Sequence, residues 1–160
     1  MDVLFQTQSN ELSTTTQKEK LFKDAERQWN TLSTEKGAPG RKVDFEIYKS
    51  ILYNLEIRKV YLDSKLSLEK FSSIVGTNTT YLSNAVNNYF GCNFKRLINS
   101  YRVARAKELL DGKDCPVSEL FSRCGFASKS VFYVAFRKVV GMTPLQYISQ
   151  SRNPFMIQRN

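Results

Sequence analysis

The sequence predicts an all-α protein, and three observations carry that reading. Apolar residues recur at three- and four-residue steps from Leu21 onward, and no stretch of the 160 residues sustains the alternation of a half-buried strand. Glycines punctuate the apolar segments, at Gly76, Gly91, Gly112, Gly125 and Gly141. One part of the chain also repeats another. Shifted by 49 residues, Leu68, Phe71, Val75 and Gly76 fall on Val117, Leu120, Cys124 and Gly125. After one inserted residue, Tyr81, Leu82, Ala85, Val86 and Gly91 fall on Val131, Phe132, Ala135, Phe136 and Gly141.

In order, residues 1–44 read as a tail or connector. Met1 to Gln17 is rich in Ser, Thr, Gln and Asn without apolar period and is expected to be disordered. Leu21, Phe22, Ala25, Trp29 and Leu32 predict a short amphipathic helix over about 18–32. Its apolar face calls for a partner: the domain itself, another subunit, or a region outside this sequence. Gly37-Ala38-Pro39-Gly40 marks a linker. A domain is expected over 45–152, opening with one helix across Phe45–Leu62, where Ile47, Tyr48, Ile51, Leu52, Leu55 and Val60 form a buried face. The first copy of the repeat, about 67–91, holds a helix from Ser67 to Gly76 and another from Asn78 to Phe90. A long helix over about 93–110, closed by Asp111-Gly112, leads to the second copy, about 117–141. There a short helix, a tight turn at Gly125-Phe126 and a second helix follow in sequence. Thr143 and Pro144 suit the N-cap and first turn of a last short helix, and 153–160 reads as a tail.

Charge limits what the protein does. The net charge is +9, yet residues 1–44 hold seven basic and seven acidic residues, so residues 45–160 carry the whole excess. Lys70–Lys107 and Leu120–Asn160 contain six basic residues each and no carboxylate. Acid-free windows of that length point to a polyanionic partner. No histidine is present, which excludes Ser-His and Cys-His nucleophile pairs and histidine metal ligands. Cys92, Cys115 and Cys124 form no CxxC pair and read as reduced thiols. The expectation is no enzyme, no cofactor and no metal. The longest apolar run, Val131–Phe136, is six residues, and no signal peptide opens the chain, so a cytoplasmic protein without membrane contact is expected.

A helix, a tight turn and a second helix with an exposed polar face suit a DNA major groove. In the second copy the outward positions are Lys129, Ser130, Tyr133, Val134, Arg137 and Lys138; in the first they are Thr79, Thr80, Ser83, Asn84, Asn87 and Asn88. Asn pairs with adenine, Ser and Thr adapt to either base, and Val or Tyr packs on a thymine methyl. Arg137 and Lys138, late in their helix, are placed for phosphates, and Lys95, Arg96 and Arg102 of the connecting helix are further phosphate candidates. Arg105 and Lys107 lie on the same helix. A connecting helix of about 17 residues spans roughly 25 Å, which sets two reading helices about one duplex turn, roughly 34 Å, apart.

These residues resemble a known family. Residues from about Leu66 to Ile148 are similar to the DNA-binding domain of the AraC/XylS transcription regulators. The likeness runs through Tyr101-Arg102-Val103-Ala104-Arg105-Ala106-Lys107-Glu108-Leu109-Leu110, then Gly125-Phe126-Ala127-Ser128, Phe132, Phe136-Arg137-Lys138, Gly141, Thr143-Pro144 and Tyr147. It implies seven helices, two helix-turn-helix units, and sequence-specific activation or repression of transcription in bacteria. By position it implies base-reading roles for Thr80, Ser83, Asn84, Lys129, Ser130, Tyr133 and Val134. Double-stranded DNA is the implied partner, with RNA polymerase as a candidate second one and no small-molecule effector site in this chain. Ile148 stands where the family often has arginine, and the first reading helix has no Lys or Arg between Asn78 and Phe90. Family members usually carry a sensor domain, which residues 1–44 are too short to supply. The chain reads either as a stand-alone regulator or as the output end of a longer sensor, with an upstream sensor region or a dimer partner to meet the Leu21–Leu32 helix. An alternative is a protein-interaction module for an acidic partner, with DNA binding secondary.

Overall fold

The computed structural model describes residues 16–31, 42–113 and 115–152; the disordered stretch expected at the N-terminus lies almost wholly outside the described residues, as do the Gly37–Gly40 linker and the 153–160 tail. Eight α-helices and no strand occur among the described residues. They gather into two compact units. Unit 1 takes the described residues up to Val60 together with Ser67–Asn93; unit 2 takes Tyr61–Leu66 and the described residues from Phe94 on.

Unit 1 begins with helix α1, residues 16–31. Of the three partners its apolar face called for, the domain is the one it meets. Ala25 and Trp29 are buried against Tyr48 and Leu52 of α2 (Lys42–Leu52), and Phe45, Tyr89 and Phe90 pack around them. The indole of Trp29 lies 5.6 Å from the rings of Phe45 and of Tyr48 and 4.7 Å from that of Tyr89. The Tyr48 hydroxyl donates to Gln28 Oε1 at 2.8 Å.

The single helix expected over Phe45–Leu62 is broken into three pieces. After α2 come a π turn (Tyr53–Ile57) and a 3-10 turn (Val60–Leu62). Buried Asn54 donates its side-chain Nδ2 to the Ser50 carbonyl at 2.8 Å, the acceptor a regular helix assigns to the Asn54 backbone N–H. The ladder slips to the wider spacing, with Arg58 N–H on Tyr53 O at 3.1 Å. Lys59, at φ 51°, then stops the helix. Apolar spacing marks the buried face but not this change of register.

The two copies of the repeat fold alike. In unit 1 they are α3 (Leu68–Val75) and α4 (Thr79–Phe90); in unit 2, α6 (Val117–Arg123) and α7 (Lys129–Val140). Asn78 accepts from Tyr81 N–H at 2.7 Å and Ser128 from Val131 N–H at 3.3 Å, so both second helices start on a side-chain cap. Each first helix closes with a 6→1 bond: Thr77 N–H on Ser72 O and Phe126 N–H on Phe121 O, both 2.9 Å.

Unit 2 is organised by α5 (Phe94–Gly112), a 19-residue helix roughly 28 Å long. It runs two residues past the expected Leu110, and Lys113, at φ 56°, ends it in place of Gly112. Val103, Ala106 and Leu109 of α5 meet Leu120 of α6 and Phe132, Ala135 and Phe136 of α7 in one core, with Cys124 and Phe126 of the turn. Helix α8 (Pro144–Arg152) starts with a capping box: Gln146 N–H donates to Thr143 Oγ1 at 3.2 Å, and Thr143 N–H to Gln146 Oε1 at 2.9 Å.

The turn glycines differ in what they touch. Gly76 and Gly125 share φ 87°, but a Cβ on Gly76 meets nothing within 4 Å. On Gly125 it collides with the Tyr61 carbonyl oxygen and lies 2.8 Å from Leu62 Cα. Gly76→Ala is predicted to cost about 1–2 kcal/mol of backbone strain. Gly125→Ala adds overpacking against main chain, for a total of at least about 3 kcal/mol. Urea denaturation of the two variants checks this, and equal midpoints would contradict it.

Candidate nucleic-acid interface

The candidate reading faces are the sides of α4 and α7 turned away from the cores. On α7, Phe132, Ala135 and Phe136 are buried, while Lys129, Ser130, Arg137 and Lys138 are exposed and Val134 is 70% exposed. On α4, Leu82, Ala85 and Val86 are buried, while Thr80, Asn84, Asn87 and Asn88 are exposed. Position by position the copies agree: Thr80 with Ser130, Asn84 with Val134, Asn87 with Arg137 and Asn88 with Lys138 are exposed in both, and Ser83 and Tyr133 are half-buried in both. The seven base-reading candidates therefore lie on two equivalent helix faces, one in each unit. Asn87 and Asn88 share the exposed α4 face with Thr80 and Asn84.

The chemistry of the two faces differs. Helix α4 offers only hydroxyl and amide groups. Helix α7 offers three cations, and neither Arg137 nor Lys138 has an acidic partner among the described residues. Lys129 Nζ lies 5.7 Å from the centroid of the Tyr133 ring, within range of a cation–π contact. Tyr133 packs its ring edge-on against Phe132 at 5.7 Å, so its body belongs to the core and its edge to the surface.

The phosphate candidates separate. Lys95 and Arg96 are exposed in the first turn of α5, beside the positive end of the helix dipole, where cations are disfavoured unless an anion joins them. Arg102 is placed differently from the phosphate role expected for it. Its Nε donates to Tyr61 O at 2.7 Å and its NH2 to Asp63 O at 2.9 Å, and the guanidinium carbon lies 5.5 Å from the Phe126 ring centroid. Burial lowers its pKa, opposed by the charge of Asp63. It is a strut inside unit 2. No sequence signal separates it from Arg105, three residues on, which pairs with Glu108 at 3.0 Å. Lys107 stands over the Tyr147 ring at 5.7 Å, and the Tyr147 hydroxyl donates to Asp111 at 2.9 Å. Ile148 lines a cleft of about 510 Å³ with Leu110, Lys113, Cys115 and Tyr147. Burial, the largest cause, pushes the Cys124 thiol up to about 12.

Two capped helix pairs, each presenting a polar face on its second helix, define a double helix-turn-helix domain of the DNA-binding class. Residues 71–150 match the family described as a helix-turn-helix domain, and the chain belongs to this family, in its AraC/XylS branch. It is 32% identical to the HTH-type transcriptional activator RhaR of Enterobacter sp. (strain 638) over 91 residues, 57% of this chain and 32% of that protein. The chain thus spans about a third of that relative's length. Among solved structures it is similar to the C-terminal domain of AraT, a response regulator from Geobacillus stearothermophilus. The TM-score is 0.59 at 28% identity, covering 66% of this chain and 84% of that one. It is also similar to the C-terminal domain of the two-component response regulator yesN from Fusobacterium nucleatum. Here the TM-score is 0.56 at 29% identity, over 62% and 96% of the respective chains.

Arg102→Ala is predicted to destabilise the protein by about 2–3 kcal/mol, because it removes two bonds from a charged donor to the Tyr61 and Asp63 carbonyls. Arg137→Ala leaves the melting temperature unchanged, so a thermal melt of both variants separates strut from surface cation. Cys124 is predicted to stay unlabelled by a thiol reagent at about pH 8 until the chain unfolds, since the thiolate is the reactive form. Because its folded pKa of about 12 lies above the ordinary 9.0, its contribution to stability is complete below 9 and declines as pH rises toward 12. A urea midpoint that rises across that window would contradict the assignment.

Proposed function

We propose that the chain is a sequence-specific, double-stranded-DNA-binding transcription regulator whose helices α4 and α7 enter two successive major grooves over a site of roughly 20 base pairs. The observation that carries this reading is the positional match of the two outward faces on one repeated skeleton. Thr80, Ser83 and Asn84 read bases from α4; Lys129, Ser130, Tyr133 and Val134 read them from α7. Lys95, Arg96, Arg137 and Lys138 hold phosphates, and a phosphate at the first turn of α5 would offset the cation–dipole repulsion there. Arg102 has no place in that set, since its donors serve carbonyls of its own chain. This reading places the protein with DNA in the cytoplasm and makes RNA polymerase its second partner. No described helix is long and apolar enough to cross a membrane.

Selection of bound sequences from a random duplex pool tests the proposal; equal, weak binding of random and selected duplexes at low salt would falsify it. Lys129→Ala and Asn84→Ala are each predicted to shift sequence preference by about 1–3 kcal/mol at one base position. Arg137→Ala weakens all sequences alike. With four phosphate contacts, log K falls against log salt with a slope of about −3 to −4, and Arg137→Ala reduces that slope by about 1. Fluorescence-anisotropy titrations at several salt concentrations measure both effects.

A further inference from the structure

The two reading helices are held differently at their last turns. Helix α4 ends in Tyr89 and Phe90, and both pack on the aromatic cluster that α1 closes. Tyr89 lies 4.7 Å from the Trp29 indole and donates its hydroxyl to Asp44 Oδ2 at 3.1 Å; Phe90 lies 5.4 Å from the Tyr48 ring. The repeat puts Val139 and Val140 at the matching positions of α7, and Val139 is 48% exposed. The aromatic clamp belongs to the first copy.

That copy is also the one that needs it. Between Thr79 and Phe90 there is no Lys or Arg, so α4 works through short hydroxyl and amide groups. Their hydrogen bonds weaken steeply with angle and demand placement within about 0.5 Å. Long, charged side chains such as those of α7 tolerate a looser helix. Asn84 and Asn87 stand within two turns of Tyr89, so tilt of the last turn carries directly to the reading side chains.

Building on the DNA-reading function proposed above, we infer that Trp29 of α1 is a positioning residue for base reading by α4. Through Trp29, a helix outside residues 71–150, the part of the chain that matches the family, sets how well the uncharged half of the interface discriminates sequence.

The test uses the full chain and the duplex selected by the wild-type protein, with half-sites assigned by the positions that Asn84→Ala and Lys129→Ala each affect. Trp29→Ala is expected to lose about tenfold in affinity on the intact duplex, and Trp29→Phe to recover most of it. On a duplex with the α4 half scrambled, Trp29→Ala and wild type bind alike. Equal loss on both duplexes, or no loss on either, overturns the inference while leaving DNA reading intact. Should Trp29→Ala fail to fold, Tyr89→Phe keeps both rings and removes the hydroxyl that bonds Asp44; it must show the same split at about two- to fivefold, and a uniform effect overturns the inference. Trp29 is the only tryptophan of the chain, so its emission reports the packing of α1 directly. Emission of a water-exposed indole in the wild type overturns the inference alone. A wild type that binds intact and scrambled duplexes equally overturns the DNA-reading proposal and this inference with it.

Discussion

The guanidinium of Arg102, donating to the carbonyls of Tyr61 and Asp63, is the interaction on which unit 2 depends. The Tyr61–Leu66 segment is tied to α5 there, and the Tyr61 ring lies 5.5 Å from that of Tyr101 on the same helix. The same Tyr61 carbonyl faces the bare backbone of Gly125, with no room for a Cβ. Helix α5, the 61–63 segment and the α6–α7 turn are thereby locked in one stack, and Phe126 closes it by packing between Arg102 and Phe132. The direction in which α7 leaves the turn follows from that stack. A buried polar group without a partner costs more than a bond gains, so the stack tolerates neither the loss of the guanidinium nor a larger residue at 125.

Around that lock the two copies share a skeleton and divide the chemistry. Both have capped second helices, a left-handed glycine between helices, and a second left-handed glycine at Gly91 or Gly141. Their buried positions are filled differently: Leu82 and Val86 in the first, Phe132 and Phe136 in the second. The outward sides differ in kind. One carries neutral, directional groups; the other carries cations that act over a longer range.

Much of this was legible in the sequence. Glycines after apolar runs, Thr143 as a cap, and the 49- and 50-residue offsets carried the helix boundaries and the two equivalent faces, because each depends on local backbone chemistry. What was not legible depends on tertiary partners. Periodicity ran straight through Asn54, whose side chain takes the Ser50 carbonyl and shifts the helix register. Gly112 read as a stop, yet the helix continues and Lys113 takes the left-handed position. Arg102 and Arg105 look alike in sequence, and only the carbonyls of a segment some 40 residues upstream tell them apart. The apolar face of α1 was visible, but not which of three surfaces would cover it.

Unit 2 is not a continuous piece of chain, since Tyr61–Leu66 precedes the whole first helix-turn-helix and packs with the second. During synthesis that segment leaves the ribosome 41 residues ahead of the arginine that fixes Tyr61, and further ahead of Gly125. The first copy is complete while the second still waits with its earliest strip already made. The duplicated halves are therefore not exchangeable cassettes. A fragment cut just before α5 would carry every helix of the second unit and still lack the six residues on which its turn rests.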